Sequence, residues 1–227
     1  MFRIEPWTLA LLLAAGCEGV EDEGAQEVRE PAHDQTPQAK IVAFGDSLTA
    51  GLGIGLDEAY PAVLQELLDE AGYVYEVVNA GVSGDTSAGG VRRLDWVLEG
   101  RAVEVLILAL GANDGLRGLP PSEMKKNLAD IIERAKSRGI RVLLAGFEAP
   151  PDSRDQYLQE FVAVFPELAR EHEVALLPSF LQDVAGVVDL NQEDGKHPNA
   201  KGARVVAKTV FRALEPLLPR PQPESDP

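Results

Sequence analysis

The sequence predicts an α/β fold: a single-domain, three-layer α/β/α sandwich on a five-stranded parallel sheet. Three observations lead there. Short apolar runs alternate with longer amphipathic ones, the order of strand and crossover helix that a parallel sheet needs. The 227 residues, 45% of them hydrophobic, suffice for one full core, which excludes global disorder. Compact polar motifs recur after the apolar runs, and a parallel sheet gathers such loops at the carboxyl ends of its strands.

Each element has its own signal. Lys40-Ile41-Val42-Ala43-Phe44-Gly45 reads as a buried strand ending in glycine. Residues 58–71 have helical spacing, with Val63, Leu64, Leu67 and Leu68 on one face. Residues 73–79 read as the second strand and 87–99 as a helix. Residues 104–110 form the clearest strand, whose unbroken apolar character implies burial on both faces. A helix runs from Pro121, suited to a first turn, to Arg138, and Gly139 closes it. Residues 141–146 are the fourth strand, 155–172 a helix and 174–178 a short fifth strand. Asn199 can cap a last helix reaching about Leu218.

The ends of the chain read differently. The run Leu9-Ala10-Leu11-Leu12-Leu13-Ala14-Ala15-Gly16-Cys17 is too short for a spanning helix, which takes about 20 residues, but suits a signal peptide. Its small-small-Cys ending resembles a bacterial lipobox, in which Cys17 is lipidated and becomes the mature N-terminus. Position 14 is Ala where a larger aliphatic is usual. An ordinary signal peptide, or a buried segment with a core cysteine, are the alternatives. Residues 18–39 carry seven carboxylates against Arg29, a net −6, and read as a solvated linker with a reach of about 25 Å as a flexible coil. Pro219, Pro221 and Pro223 bar a helix in the tail, 219–227, which reads as disordered. The folded domain is then 40–218, and the expected address is export to the periplasmic side of a membrane.

Charge and cysteine count exclude several functions. The chain has 37 acidic and 21 basic side chains, a formal net charge of −16. That argues against nucleic-acid binding, which needs Lys and Arg for phosphates. With residues 1–17 neutral and the tail at −1, the domain itself keeps −9. An anionic membrane surface is therefore an unfavourable docking partner, and membrane attachment would fall to a lipid on Cys17. One cysteine permits neither an internal disulfide nor a zinc cluster.

Polar motifs stand at four strand-end loops: Asp46-Ser47-Leu48, Gly81-Val82-Ser83-Gly84-Asp85-Thr86, Gly111-Ala112-Asn113-Asp114-Gly115 and Asp194-Gly195-Lys196-His197-Pro198. Serine catalysis needs a base for the hydroxyl proton and donors for the oxyanion. Of three histidines, His33 falls in the linker and His172 in a charged, solvated stretch, which leaves His197 as base. Asp194, three residues earlier, is placed to accept the imidazole N–H. Ser47 follows a strand directly, Gly84 offers an unobstructed N–H, and Asn113 an amide donor. Taken singly these are equally a helix cap, a loop glycine, a turn asparagine and a surface histidine. Their joint, ordered occurrence is what carries the reading.

On these blocks the sequence resembles the GDSL, or SGNH, hydrolases. Gly45-Asp46-Ser47-Leu48 matches the nucleophile block, Gly84 the glycine block, Gly111-Ala112-Asn113-Asp114 the asparagine block and Asp194-Gly195-Lys196-His197 the Asp-x-x-His block. The resemblance spans 40–218 and implies a flavodoxin-like fold, Ser47 as nucleophile, His197 as base and Asp194 as its orienter. It further implies an oxyanion hole of Ser47 N–H, Gly84 N–H and the Asn113 side chain, with Asp46 structural and no metal or other cofactor. Gly84-Asp85-Thr86-Ser87 and Asn113-Asp114-Gly115-Leu116-Arg117-Gly118 resemble the bacterial multifunctional acyl-thioesterase, lysophospholipase and arylesterase subgroup. The substrate implied is a small acyl ester or thioester. The chain departs from the subgroup after the fourth strand, where Ala149-Pro150-Pro151-Asp152-Ser153-Arg154-Asp155 replaces an Asn-Tyr-Gly-like stretch beside the acyl pocket.

Other readings fit less well. An α/β-hydrolase needs Gly-x-Ser-x-Gly, but Thr49 stands where Ser47 would require the second Gly. Gly51-Leu52-Gly53-Ile54-Gly55 lies too far from its strand for a dinucleotide loop. Two alternatives stay open on the same fold: an exported carbohydrate O-deacetylase and an inactive lipoprotein binding module.

Overall fold

The computed structural model describes residues 39–100, 102–150 and 152–220. Cys17, the linker at 18–38 and the tail beyond 220 lie outside the described residues. Five parallel strands carry the fold: β1 (Lys40–Gly45), β2 (Glu76–Gly81), β3 (Val103–Ala109), β4 (Arg141–Ala145) and β5 (Ala175–Leu177), in the order β2-β1-β3-β4-β5.

Side chains alternate across the sheet with period two, which sorts the core into two layers. Ile41, Ala43, Val105, Ile107 and Leu143 face α2 (Tyr60–Glu70) and α7 (Ala200–Leu214). Val42, Phe44, Leu106, Leu108 and Leu144 face α3 (Ser87–Leu98), α5 (Pro121–Ser137) and α6 (Gln156–His172). Both faces are thus covered, as continuous apolar strands require. β2 is added on one side of β1 and β3, β4 and β5 on the other, so the strand order switches at β1 and a crevice opens above the carboxyl ends of β1 and β3.

Local chemistry sets the boundaries. Asp155 caps α6 by accepting Leu158 N–H at 3.2 Å, and Asn199 caps α7 by accepting from Lys201 and Gly202. Gly139, at φ 75°, turns the chain out of α5. α7 stops at Leu214 and a single 3₁₀ turn, Glu215–Leu217, replaces its expected last turn, because Pro216 has no N–H to continue it.

The second strand starts later than its apolar run suggests. Tyr73 and Tyr75 are buried but unpaired in the sheet, since the parallel register begins at Lys40–Glu76. Tyr73 packs edge-on against Phe211, and Tyr75 donates its hydroxyl to Glu104 at 2.9 Å. They anchor the chain before the strand rather than belonging to it. Two short helices also follow strands directly: α1 (Ser47–Ala50) after β1 and α4 (Ala112–Leu116) after β3.

Candidate active site

The turn from β1 into α1 is possible because position 45 is glycine. A Cβ there would lie 2.1 Å from Thr49 Oγ1 and 2.7 Å from the Ala109 carbonyl oxygen. The next residue, Asp46, is buried and caps α1 through its Oδ1, which accepts Leu48 N–H at 3.0 Å. Ser47 is therefore the first helical residue and not the cap, which leaves its hydroxyl and its N–H outside the helix's own bonding.

His197 meets that hydroxyl, with Nε2 2.9 Å from Ser47 Oγ, while Nδ1 lies 2.5 Å from Asp194 Oδ2. The other Asp194 oxygen accepts the backbone N–H groups of Lys196 at 2.9 Å and His197 at 3.0 Å. The His197 bond and these two N–H groups hold the Asp194 carboxyl well below the ordinary carboxylate range, so it stays ionised beside the imidazole. The loop is fixed from both sides. Gln192 N–H donates to His197 O at 2.8 Å and its amide Nε2 to Leu52 O at 2.7 Å, tying the histidine loop to the segment after α1. Buried Asn191 donates to Val184 O and Val187 O. Neither Gln192 nor Asn191 has a distinguishing signal in sequence.

Gly84 and Asn113 line the same cavity as Ser47 and His197. Gly84 sits at φ 79°, a conformation only glycine adopts without strain. Among the described residues neither Ser47 N–H nor Gly84 N–H donates to a protein acceptor. Asn113, in the first turn of α4, is held tightly: its Nδ2 donates to Asp46 Oδ2 at 3.1 Å and to Asp85 O at 2.9 Å. Both amide protons are thus engaged, and bonding an oxyanion requires sharing one of them. Burial pushes the Asp46 carboxyl up to about 6, against the opposing effects of the Leu48 N–H bond, the nearby His197 and the Asn113 bond.

The cavity holds about 700 Å³, within the range of small-molecule sites. Leu116, Leu158, Phe161 and Val162 form an apolar wall, and Phe147 packs against Phe161 and Phe165. Glu148, just before the departing stretch, and Asp155, its last residue and the cap of α6, bring carboxylates to its border. His172, expected to be solvated, is largely covered at the end of α6, with its side chain 17% exposed and 3.9 Å from Glu133. Among the described residues no group of three or more His, Cys, Asp or Glu side chains is arranged to hold a metal ion.

Sequence reasoning also missed Arg93. It stands in a helix with no mark of its own in the sequence, yet its guanidinium lies 4.0 Å over the Phe44 ring and bonds Asp85. Helical spacing from Gly89 and Gly90 to Leu94 and Val97 puts it beside the buried face, which was the available signal.

An aspartate, a histidine and a serine bonded in series at the strand ends of a parallel α/β sheet, with backbone and amide donors on one cavity, form a serine-hydrolase type of site. The comparisons with known proteins agree with that class. The profile of the GDSL-like Lipase/Acylhydrolase family matches residues 43–205, and the chain belongs to that family. It is similar to Esterase TesA of Pseudomonas aeruginosa, 39% identical over 184 residues that cover 81% of this chain and 92% of that protein. It is also similar to Thioesterase 1/protease 1/lysophospholipase L1 of Escherichia coli K12, 35% identical over 178 residues, 78% of this chain and 84% of the relative. A crystal structure of TesA superposes with a TM-score of 0.75 at 40% identity, over 80% of this chain and all of that one.

Proposed function

We propose that the chain hydrolyses carboxylic esters and thioesters of small acyl substrates through an acyl-enzyme. The observation that carries this is the Asp194–His197–Ser47 series, at 2.5 and 2.9 Å, opening onto an apolar cavity. Ser47 attacks the acyl carbonyl while His197 Nε2 takes its proton. Asp194 stabilises the imidazolium and fixes the tautomer. Ser47 N–H, Gly84 N–H and Asn113 bond the oxyanion, Asn113 by shifting one proton away from Asp46 or Asp85 O. His197 then protonates the leaving group, and a water repeats the sequence to release the acid.

The apolar wall favours acyl chains over a sugar face, which ranks the O-deacetylase reading second. The relatives named esterase and thioesterase/lysophospholipase support the same substrate class. Wild type and Ser47→Ala compared on p-nitrophenyl butyrate test the reading. Loss of turnover in a folded variant is expected, and equal turnover would sink the nucleophile assignment.

The same reading includes export as a lipoprotein, with cleavage before Cys17, a lipid on its thiol and the acidic segment as tether. The support is the small-small-Cys motif after an apolar run. Mass spectrometry of the mature N-terminus decides it. A chain continuing unbroken through Cys17 would overturn it.

A further inference from the structure

Arg93 binds three segments that each lead into a donor of the proposed oxyanion hole. Its Nη2 donates to Gly45 O at 2.9 Å, immediately before Asp46 and Ser47. Its Nη1 donates to Ala80 O at 2.7 Å, at the end of β2 before the Gly84 loop. Its Nε donates to Asp85 Oδ2 at 2.7 Å, and the backbone oxygen of Asp85 is one of the two acceptors that hold the Asn113 amide. The pair is largely covered, at 17% and 11% side-chain exposure, so it is little screened by solvent. Gly89 leaves the room that the Asp85 carboxylate occupies, since a Cβ there would come within 1.6 Å of Asp85 Oδ1. The guanidinium itself is clamped over Phe44.

We propose that Arg93 is a positioning residue of the oxyanion hole, a role that rests on the serine-hydrolase reading. Its planar fork fixes the ends of β1 and β2 and Asp85 relative to one another, and so sets the spacing of the Ser47 N–H, the Gly84 N–H and the Asn113 amide. Three acceptors in three directions suit a guanidinium and not a point-charge ammonium. Misplacing a reacting group by about 1 Å can cost about 10²-fold in rate.

The test is a double-mutant cycle on the full chain: Arg93→Met, Asn113→Ala and both together, with Ser47→Ala as control. Turnover of p-nitrophenyl butyrate, inhibition by butylboronic acid (which gives a tetrahedral anion on serine) and thermal melting are measured in parallel. Arg93→Met should lower kcat by about tenfold or more with KM nearly unchanged, and weaken the boronate by a matching factor. In the Asn113→Ala background that loss should shrink to about threefold or less, because one of the positioned donors is already gone. Equal losses in both backgrounds, or a kcat loss with boronate affinity intact, would reduce Arg93 to general stability. Wild-type kcat in folded Arg93→Met would remove the role altogether. If Arg93→Met does not fold, the cycle is run with Arg93→Lys, expected to lose about fivefold or more in kcat; wild-type kcat there would equally overturn the proposal. Full turnover by Ser47→Ala would overturn the hydrolase reading itself, an outcome separate from additivity in the cycle.

Discussion

Replacing Asp46 by asparagine tests how the site holds its buried carboxyl. Asp46 is 1% exposed and its two oxygens accept from Leu48 N–H and Asn113 Nδ2. Burial raises its pKa from 3.8 to about 6. At about 1.4 kcal/mol per unit, keeping the ionised form at neutral pH costs the fold about 3 kcal/mol. The folded state holds this proton more tightly than the unfolded chain, so stability falls as pH rises from 3.8 through about 6. In Asp46→Asn the amide oxygen still accepts from Leu48, but its NH₂ opposes the Asn113 donor, a pH-independent loss of about 1–3 kcal/mol. The variant's stability relative to wild type should therefore climb by about 3 kcal/mol between about pH 3.5 and 7. Urea unfolding at a series of pH values reads this difference directly, since every other carboxylate is common to both proteins. A difference that stays level with pH would refute the argument that Asp46 is desolvated and proton-retaining.

Four further outcomes follow from the same geometry. Asn113→Ala should lower kcat by about 10²-fold or more with the fold intact, and an effect confined to KM would mean that Asn113 only positions substrate. Asp194→Asn should lower kcat by about 10³–10⁴-fold, because an amide cannot stabilise the imidazolium; a loss below tenfold in steady-state kinetics would contradict the ion pair. Gly84→Ala finds Arg117 Nη2 3.8 Å from the new Cβ and no closer atom, so its cost is backbone strain at φ 79°, about 1–2 kcal/mol by urea melts, with kcat falling as the loop relaxes. Phe161→Ala removes a ring 6% exposed that packs on Phe147 and Phe165, and should cost about 3–5 kcal/mol in the same melts.

What was legible in sequence follows from what each residue's environment leaves visible. β1 and β3 lie inside the sheet and are apolar on both faces, so their runs mark them closely. β2 is an edge strand, half covered along its length, and its pattern is overshadowed by the anchoring tyrosines before it. Asn199 announced its helix because capping is a local property, and Asp155, read as the first residue of its helix, proves to be that helix's cap. The four-residue α1 is too short for periodicity to register, and it makes Asp46 rather than Ser47 the cap. Ser47, His197 and Asp194 could be nominated because few residues can do their chemistry, and the structure brings them together. Arg93 escaped because a cation in an amphipathic helix ordinarily faces water, and only tertiary contacts with Gly45, Ala80 and Asp85 show that this one does not. The engaged state of Asn113 is likewise a product of two loops meeting and has no sequence signal.

The most direct measurement is covalent labelling of the proposed nucleophile. A p-nitrophenyl alkylphosphonate releases nitrophenol as an active serine displaces it, leaving a stable adduct whose position tandem mass spectrometry assigns. The account predicts one adduct per chain, on Ser47, absent from Ser47→Ala and formed far more slowly in His197→Ala. An adduct on another residue, or loss of esterase activity with Ser47 unmodified, would contradict it.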